Sequence, residues 1–301
     1  MTLIVLAATM GNKYGGLKQL ESIGPNGETI LDFSVFDAIR AGFDRIVFVI
    51  SKHFDNAFKE LVSGKYEHLV DVQYVYQDVD TLPLEYRNPK RTALYGSVRA
   101  VLMARDLIDG PFGVINAVNF YQKESFDLLY QHLLMLKDAP YTSVNVCYRL
   151  KNVLAENGGV TRGICEVDDD GFLVSVTDRL GVERVGGKPM FPNELRKWEA
   201  LDENSLVSMN MWGFIPDVFE QMQEKFDAFF QQYGMDMKAH YSLPEFMNGR
   251  IVEGTKVKVV ETDAQWMGLV SHDDKIQVVL RINEMMRKGV YPQRLFRSLN
   301  E

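Results

Sequence analysis

The first twenty residues constrain the fold most strongly. An apolar run from Leu3 to Ala8 leads directly into a loop with glycines at positions 11, 15 and 16 and with Lys13 and Lys18. Glycine lets backbone N–H groups approach an anion closely, and lysine adds positive charge where phosphate oxygens collect. We therefore expect a buried strand followed by a phosphate-binding loop. An ordinary strand-to-helix turn with solvated lysines would explain the loop taken alone.

The residues after this loop favour the phosphate-binding interpretation, because they complete a βαβ unit. Thr29 can cap a helix whose apolar residues recur at roughly three-residue spacing, and Gly42 follows its end. The apolar residues of this helix are Ile30, Phe33, Phe36 and Ile39. A second apolar strand is predicted over Arg45–Ile50. This order of strand, loop, helix and strand is that of a βαβ unit.

The alternation of strands and helices continues along the chain. We predict strands over 70–76, 112–118 and 207–214, helices over 96–107 and 124–137, and a hairpin that pairs 163–167 with 171–176. A last amphipathic helix is expected to bury Ile276, Val279, Ile282 and Met286 and to end at Gly289. These elements predict an α/β fold with a doubly wound, mostly parallel sheet and a hairpin-containing second half. The three aspartates at 168–170 are interpreted as a solvated turn, because the ligand spacing of a calcium loop is absent.

Composition limits the classes of partner. The net charge is −8 and no cluster of lysine and arginine interrupts the acidic balance, so we expect no nucleic-acid partner. Two cysteines and a short apolar start that lacks a basic flank predict a cytoplasmic protein without a membrane partner. Without a linker-like composition break, we expect one domain over 1–301. This domain would have two halves, over 1–120 and over 121–301, and the second half includes the C-terminal helix.

The first loop resembles the opening of the sugar nucleotidyltransferases, which reads Leu-Ala-Ala-Gly-x-Gly-x-Arg and reaches a lysine shortly afterwards. The chain departs from this pattern at two positions, Thr9 and Lys13. The resemblance implies that Lys13 and Lys18 are catalytic residues that hold the phosphates of a nucleoside triphosphate (NTP). It further implies a set of nucleotide-binding positions, which are Ala7, Ala8, Thr9, Gly11, Gly96 and Asn119.

The second half of the chain also resembles this family, in the segments 156–163 and 207–214. The resemblance implies that the half over 1–120 binds the nucleotide and that the half over 121–301 binds the sugar. The implied sugar-phosphate-binding residues are Glu156, Asn157, Gly163, Arg179 and Asn210. Arg179 would hold the sugar phosphate, since arginine suits that anion. The alternatives are a surface Arg179 paired with a nearby acid, a simple loop cap at Asn157, and a core strand containing Asn210. Trp212 would then be a core residue rather than a platform for a sugar ring or base.

The expected metal site is where the chain departs from the family most. The resemblance implies Mg²⁺ as cofactor, held by an aspartate at the position of Val118 and by a second carboxylate, for which Asp263 is the best match. An isopropyl group offers Mg²⁺ no oxygen ligand, and the amide of Asn119 brings no charge. Further departures at Ala93 and Arg99 lie in the segment expected around the base and ribose.

The resemblance implies an enzyme that joins an NTP to a sugar 1-phosphate, giving an NDP-sugar and pyrophosphate. No protein nucleophile is needed, because the substrate phosphate is already an anion. The alternative is a catalytically impaired homologue, a pseudoenzyme, that binds nucleotide or sugar phosphate as a regulatory or partner subunit. The expected assembly is a homo-oligomer or a complex with an active paralogue. The missing aspartate at Val118 keeps both alternatives open.

Overall fold

The computed structural model describes residues 1–8, 21–82, 90–155, 158–269 and 272–299. Their strands are β1 (Thr2–Leu6), β2 (Arg45–Ile50), β3 (Asp71–Tyr76), β4 (Phe112–Asn116), β5 (Asn119–Phe120), β6 (Ser143–Arg149), β7 (Val160–Val167), β8 (Leu173–Val185), β9 (Lys188–Pro192), β10 (Trp198–Ala200), β11 (Leu206–Phe214), β12 (Val257–Thr262) and β13 (Met267–Gly268). Their α-helices are α1 (Ile30–Ala41), α2 (Asp55–Leu61), α3 (Ser97–Leu102), α4 (Lys123–Met135), α5 (Val218–Tyr233), α6 (Leu243–Val252) and α7 (His272–Arg287).

Most of these strands form one large sheet in the order β10-β9-β8-β7-β11-β4-β1-β2-β3, and β6 joins it between β11 and β12. Strands β4, β1, β2 and β3 pair in parallel, as do β6 and β12. Strand β11 runs antiparallel to β4, β6 and β7, and the β7–β8 hairpin continues the sheet. The predicted α/β class with a hairpin-containing second half is confirmed.

Helices cover both faces of the sheet, as a doubly wound fold requires. Leu3 and Val5 of β1 pack into one buried cluster with residues of α1 and α4, whereas Ile4 packs into a second cluster with residues of α3, α5 and α6. Successive side chains of a strand point to opposite faces, so a strand buried on both faces reads as a continuous apolar run. This explains why Leu3–Ala8 contains no polar residue before the loop.

Helix α1 begins and ends at the residues that the sequence predicts. Thr29 Oγ1 accepts a hydrogen bond from the backbone N–H of Asp32 at 3.2 Å, and Asp32 Oδ2 accepts one from the N–H of Thr29 at 2.7 Å. Gly42 ends the helix with a left-handed backbone, φ +113°. The reciprocal bonds form a capping box, which satisfies two N–H groups that the first helical turn leaves without partners.

Two predicted elements are shorter than expected. The helix predicted over 96–107 ends at Leu102, because the N–H of Met103 bonds the carbonyls of both Arg99 and Ala100 and tightens the last turn. The strand predicted over 112–118 ends at Asn116, whose N–H donates to the Tyr121 hydroxyl at 3.1 Å instead of continuing the ladder. Val118 therefore lies just beyond β4.

The face that the last helix buries differs from the predicted one. Val278, Ile282 and Met286 are buried, at the i, i+4 and i+8 spacing of one helical stripe. Val279 is partly buried beside them, but Ile276 is 64% exposed, so its predicted burial is wrong. A three-residue spacing drifts around the helix by about 60° at each step, which carries Ile276 off the buried stripe.

The hairpin turn is held by one of its aspartates. Asp168 Oδ1 accepts backbone N–H bonds from Asp170 at 3.0 Å and from Phe172 at 2.8 Å, and Gly171 has a left-handed φ of +77°. This arrangement uses the Asp168 carboxylate for the turn itself. None of the described helices is long and apolar enough to span a bilayer.

Candidate functional site

A cleft of about 1100 Å³ opens at the carboxyl ends of the parallel strands. It is lined by the residues that end or follow four strands, namely Leu6 and Ala8 after β1, Ser51 after β2, Gln77 and Asp78 after β3, and Asn116, Val118 and Asn119 after β4. In open α/β sheets, ligands bind outside the carboxyl ends of the strands. The cleft is therefore the candidate functional site.

The structure brings together five of the predicted site residues at this cleft. The residues are Ala8, Gly96, Asn119, Gly163 and Asn210. Ala7 lies in the core, where its N–H donates to the carbonyl of Val49 at 2.8 Å. Six predicted residues lie outside the described residues, namely Thr9, Gly11, Lys13, Lys18, Glu156 and Asn157.

Gly96 forms a wall of the cleft and has a left-handed backbone, φ +104°. A Cβ atom at this position would lie 2.3 Å from the Tyr241 carbonyl oxygen. The two chain segments are joined there, because the N–H of Tyr241 donates to the Tyr95 carbonyl at 2.9 Å. Both the conformation and the close backbone approach thus require glycine.

Asn210, one of the predicted sugar-phosphate-binding residues, lies at an irregularity in strand β11. Its backbone is left-handed, φ +61°, and the pairing of β11 with β6 shifts register between Ser208 and Trp212. The Asn210 Nδ2 donates to Asn116 Oδ1 at 2.8 Å, while Asn210 Oδ1 accepts from Trp212 Nε1 at 2.9 Å. Trp212 is fully buried and stacks on Phe214. Trp212 is therefore a core residue and not a platform for a sugar ring or base.

Asn119 is buried against the cleft and held from two sides. Its backbone carbonyl accepts from Ser34 Oγ at 3.0 Å, and its Nδ2 donates to the Tyr121 hydroxyl, also at 3.0 Å. Tyr121 in turn donates to the Met209 carbonyl at 3.1 Å. Burial raises the pKa of Tyr121, so its hydroxyl stays protonated and donates.

Arg179 does not line the cleft. In the β7–β8 hairpin, Gly163 pairs with Asp178, and Arg162 pairs with Arg179. Asp178 lines the cleft together with Gly163, whereas the neighbouring Arg179 does not. The exposed Arg179 guanidinium lies over the Phe191 ring, 4.9 Å from its centroid. Arg179 is thus a surface residue, as the alternative interpretation predicts. No carboxylate of a described residue lies within 4 Å of its guanidinium, so the acid partner of that alternative is not found.

Two buried arginines that the sequence did not single out line the cleft instead. Arg162 is 5% exposed and donates to the carbonyls of Val153 and Thr161. Arg91 is 3% exposed and donates to four carbonyls, including those of Ala93 and Asp236. No carboxylate of a described residue lies within 4 Å of either guanidinium. Burial lowers the pKa of Arg162 to about 10, with Asp274 opposing the shift.

The described carboxylates do not form the magnesium site that the resemblance implies. Asp78 and Asp178 line the cleft, but Asp78 accepts from Ser51 Oγ and from the N–H of Lys52. Asp263 is exposed and lies outside the cleft, where its carbonyl accepts from Asn152 Nδ2 at 3.0 Å. Among the described residues, no three Asp, Glu, His or Cys side chains lie close enough together to hold a metal ion. The described residues therefore show no ready-made cluster of Mg²⁺ ligands.

Comparisons with known proteins show the fold. The chain is similar to the inositol-1-phosphate CTP transferase from T. maritima, with a TM-score of 0.60 and 13% identity over 94% of this chain and 96% of that chain. It is also similar to a putative glucose-1-phosphate thymidylyltransferase from Bacillus anthracis, with a TM-score of 0.60 and 12% identity over 93% of this chain and 95% of that one. No protein-family model matches the sequence, and no curated protein matches it. The chain thus has the fold of sugar-1-phosphate nucleotidyltransferases along nearly its whole length.

Proposed function

We propose that this chain is a nucleotidyltransferase that joins an NTP to a sugar 1-phosphate or a similar polyol phosphate. The observation that carries the proposal is the cleft at the carboxyl ends of β1 to β4, in a fold shared over more than nine-tenths of the chain with two proteins named as nucleotidyl transferases. Both named reactions use a 1-phosphate. Function follows from the site rather than the fold, so the cleft residues must support the assignment.

The two halves of the cleft are assigned to the two substrates. The half before residue 120 would hold the nucleotide, beside Ala8, Gly96 and Asn119. The later half would hold the sugar phosphate, beside Gly163 and Asn210. Amide groups can donate to and accept from sugar hydroxyls, which suits Asn210 if one of its bonds is exchanged for a substrate bond. Lys13 and Lys18 are proposed to hold the NTP phosphates.

The proposed reaction is an in-line displacement at phosphorus. A phosphate oxygen of the sugar 1-phosphate attacks the α-phosphorus of the NTP, the bond from that phosphorus to the oxygen bridging to the β-phosphate breaks, and pyrophosphate leaves with the bonding electrons. The cleft wall contains positive charge that would stabilise the negative charge on the reacting phosphates. Arg91 and Arg162 are buried positive charges in its wall, and a buried charge acts more strongly on a phosphate than a solvated one.

A second candidate function is binding without turnover. It is favoured by Val118, which lines the cleft where the family places an aspartate, and by the use of Asp78 to hold Ser51 and Lys52. In that case the chain would bind nucleotide or sugar phosphate and act as a regulatory subunit or as the partner of an active paralogue.

Calorimetric titration with UTP, dTTP, CTP, ATP and GTP, each with and without Mg²⁺, separates these functions. Pyrophosphate release is then measured with glucose 1-phosphate, inositol 1-phosphate and related 1-phosphates. Nucleotide binding together with release establishes the enzyme. Nucleotide binding without release from any pair establishes the binding protein. If neither an NTP nor any of these 1-phosphates binds at millimolar concentration, both proposals fail and the fold alone stands.

A further inference from the structure

A second cavity lies beside the cleft, between helix α7 and the chain around Asn152 and Trp266. Its volume is about 370 Å³, which is within the range of small-molecule sites. Arg162 and Trp266 line both cavities, so they form a wall that the two share. Of the predicted site residues that the structure describes, none lines this second cavity.

The lining of the second cavity is positive, in a chain whose net charge is −8. Among the described residues, the charged ones that line it are Lys151, Arg162, Arg281, Arg287, Asp274 and Glu284. Glu284 accepts from Lys288 Nζ at 2.6 Å, and this bond lowers its pKa, with the charges of Arg281 and Arg287 adding to the shift. Within the described part of the chain, neither Arg281 nor Arg287 has a carboxylate oxygen within 4 Å. Two solvent-facing guanidinium groups are thus available to an anion.

Arg162 is the buried part of this site. Its three hydrogen bonds go to backbone carbonyls, and its guanidinium lies over the Trp266 ring, 4.9 Å from the centroid. A guanidinium carries five N–H groups, so two remain after these bonds. Asp274, in the same lining, favours the charged form of Arg162, but no carboxylate oxygen of a described residue lies within 4 Å of this guanidinium. An anion in the cavity would add the close charge-assisted hydrogen bonds that this buried charge lacks.

The cavity also has an apolar side, formed by Leu154, Met267 and Leu280 together with the Trp266 ring. Leu280 is 58% exposed and extends this apolar side toward solvent. Inorganic phosphate would leave this side uncovered. The apolar side therefore points to an anion with an organic part.

We propose that the second cavity binds a small organic phosphate, with the phosphate between Arg162, Arg281 and Arg287 and the organic part against Trp266 and Leu280. Arginine matches phosphate because its planar guanidinium donates two parallel hydrogen bonds. The proposal rests on the charges and shape of this cavity and does not depend on nucleotidyl transfer in the cleft.

Calorimetric titration of the full chain with phenyl phosphate and with inorganic phosphate tests the proposal. The double variant Arg281→Gln/Arg287→Gln should bind phenyl phosphate about tenfold more weakly or worse, since two charge-assisted hydrogen bonds are lost. Gln277→Glu, an isosteric change on the exposed lining of the cavity, should weaken binding severalfold by repulsion. Arg294→Gln removes an exposed charge that does not line the cavity and should leave the affinity unchanged.

Phenyl phosphate should also bind more tightly than inorganic phosphate. The proposal is overturned if wild type binds no phenyl phosphate at millimolar concentration, or if the double variant binds it as tightly as wild type does. NTP affinity, measured on the same variants, reports on the cleft separately. A failure of NTP binding would therefore refute the proposed function without touching this site.

Discussion

The side-chain amide of Asn210 donates to the side-chain Oδ1 of Asn116 at 2.8 Å and so links β11 to the end of β4 beside the cleft. Asn210 also accepts from the buried Trp212 indole and has a left-handed backbone, φ +61°. Asparagine is one of the few residues with a side chain that tolerates this conformation. Asn210 thus adopts a backbone conformation that few residues tolerate, bonds the buried Trp212 and lines the cleft.

Replacing Asn210 should separate these effects. Asn210→Ala loses both hydrogen bonds and keeps a strained backbone, so we expect the free energy of unfolding to fall by about 2–4 kcal/mol. Asn210→Gly loses the same bonds but relaxes the backbone, and should recover about 1 kcal/mol of that loss. Guanidinium chloride unfolding of both variants measures the difference. A glycine variant less stable than the alanine variant would contradict a strained Asn210.

The fold was predictable where its signals are local. The strand at Leu3, the capped helix from Thr29 to Gly42 and the hairpin turn at Asp168 all follow from short patterns of polarity, capping and turn residues. Ile276 was misplaced because a loose three-residue spacing does not fix which helical stripe packs.

The site was only partly predictable, because it depends on pairings between distant segments. The register of β7 with β8 sets Asp178 beside Gly163 at the cleft and leaves Arg179 outside it, and no local pattern in the sequence shows that register. The burial of Arg162 likewise depends on Val153 and Trp266, which pack around it from other loops. The only indication in the sequence that Arg162 lies at the site was its position in the predicted sugar-binding segment 156–163.

Two glycine-to-alanine variants should change stability in opposite directions. Gly96→Ala places a Cβ 2.3 Å from a backbone oxygen of Tyr241 at a φ of +104°, so we expect a loss of about 3 kcal/mol or more. Gly249 lies in α6, and a Cβ atom added there would have no other heavy atom within 4 Å, so Gly249→Ala should gain about 0.5–1 kcal/mol. Thermal unfolding of both proteins tests this pair. A stable Gly96→Ala variant would show that the Tyr241 segment can move away.

Val118→Asp tests whether a single carboxylate limits turnover. Val118 lines the cleft next to Asn119, and aspartate would add the hard, charged oxygen ligand that Mg²⁺ prefers. If the rest of the cleft is competent, pyrophosphate release with Mg²⁺ should rise about tenfold or more. Val118→Asn, which adds polarity without charge, is the matched control and should not reproduce the gain. An unchanged rate in Val118→Asp would favour binding without turnover.

Asp37 should make the stability of the fold depend on pH. It is fully buried in α1, accepts from the Tyr291 hydroxyl at 2.6 Å and lies 3.6 Å from Arg40. Burial raises its pKa to about 7, although the Tyr291 hydrogen bond and the charges of Arg40 and Lys123 oppose the shift and Asp127 adds to it. Between about pH 4 and pH 7 the folded chain therefore keeps a proton on Asp37 that the unfolded chain has released.

The sign of the effect follows from this proton. The folded state binds more protons over that window, so the contribution of Asp37 to stability falls as the pH rises from 4 to 7, by at most about 1.4 kcal/mol per pH unit, and is constant above it. Asp37→Asn keeps an acceptor for Tyr291 but cannot ionise. Its stability relative to wild type should therefore increase from pH 4 to pH 7 and then level off.

Guanidinium chloride unfolding of wild type and Asp37→Asn at pH 4, 5, 6, 7 and 8 measures this difference directly. Other titrating groups, including the buried Asp32, whose pKa burial raises to about 6, are common to both proteins and cancel in the comparison. Asp109→Asn, a change at an exposed carboxylate, should not reproduce the pH-dependent difference because burial is its cause at Asp37. A stability difference that stays constant from pH 4 to pH 8 would show that Asp37 is ionised in the folded chain, with Arg40 as its counter-ion.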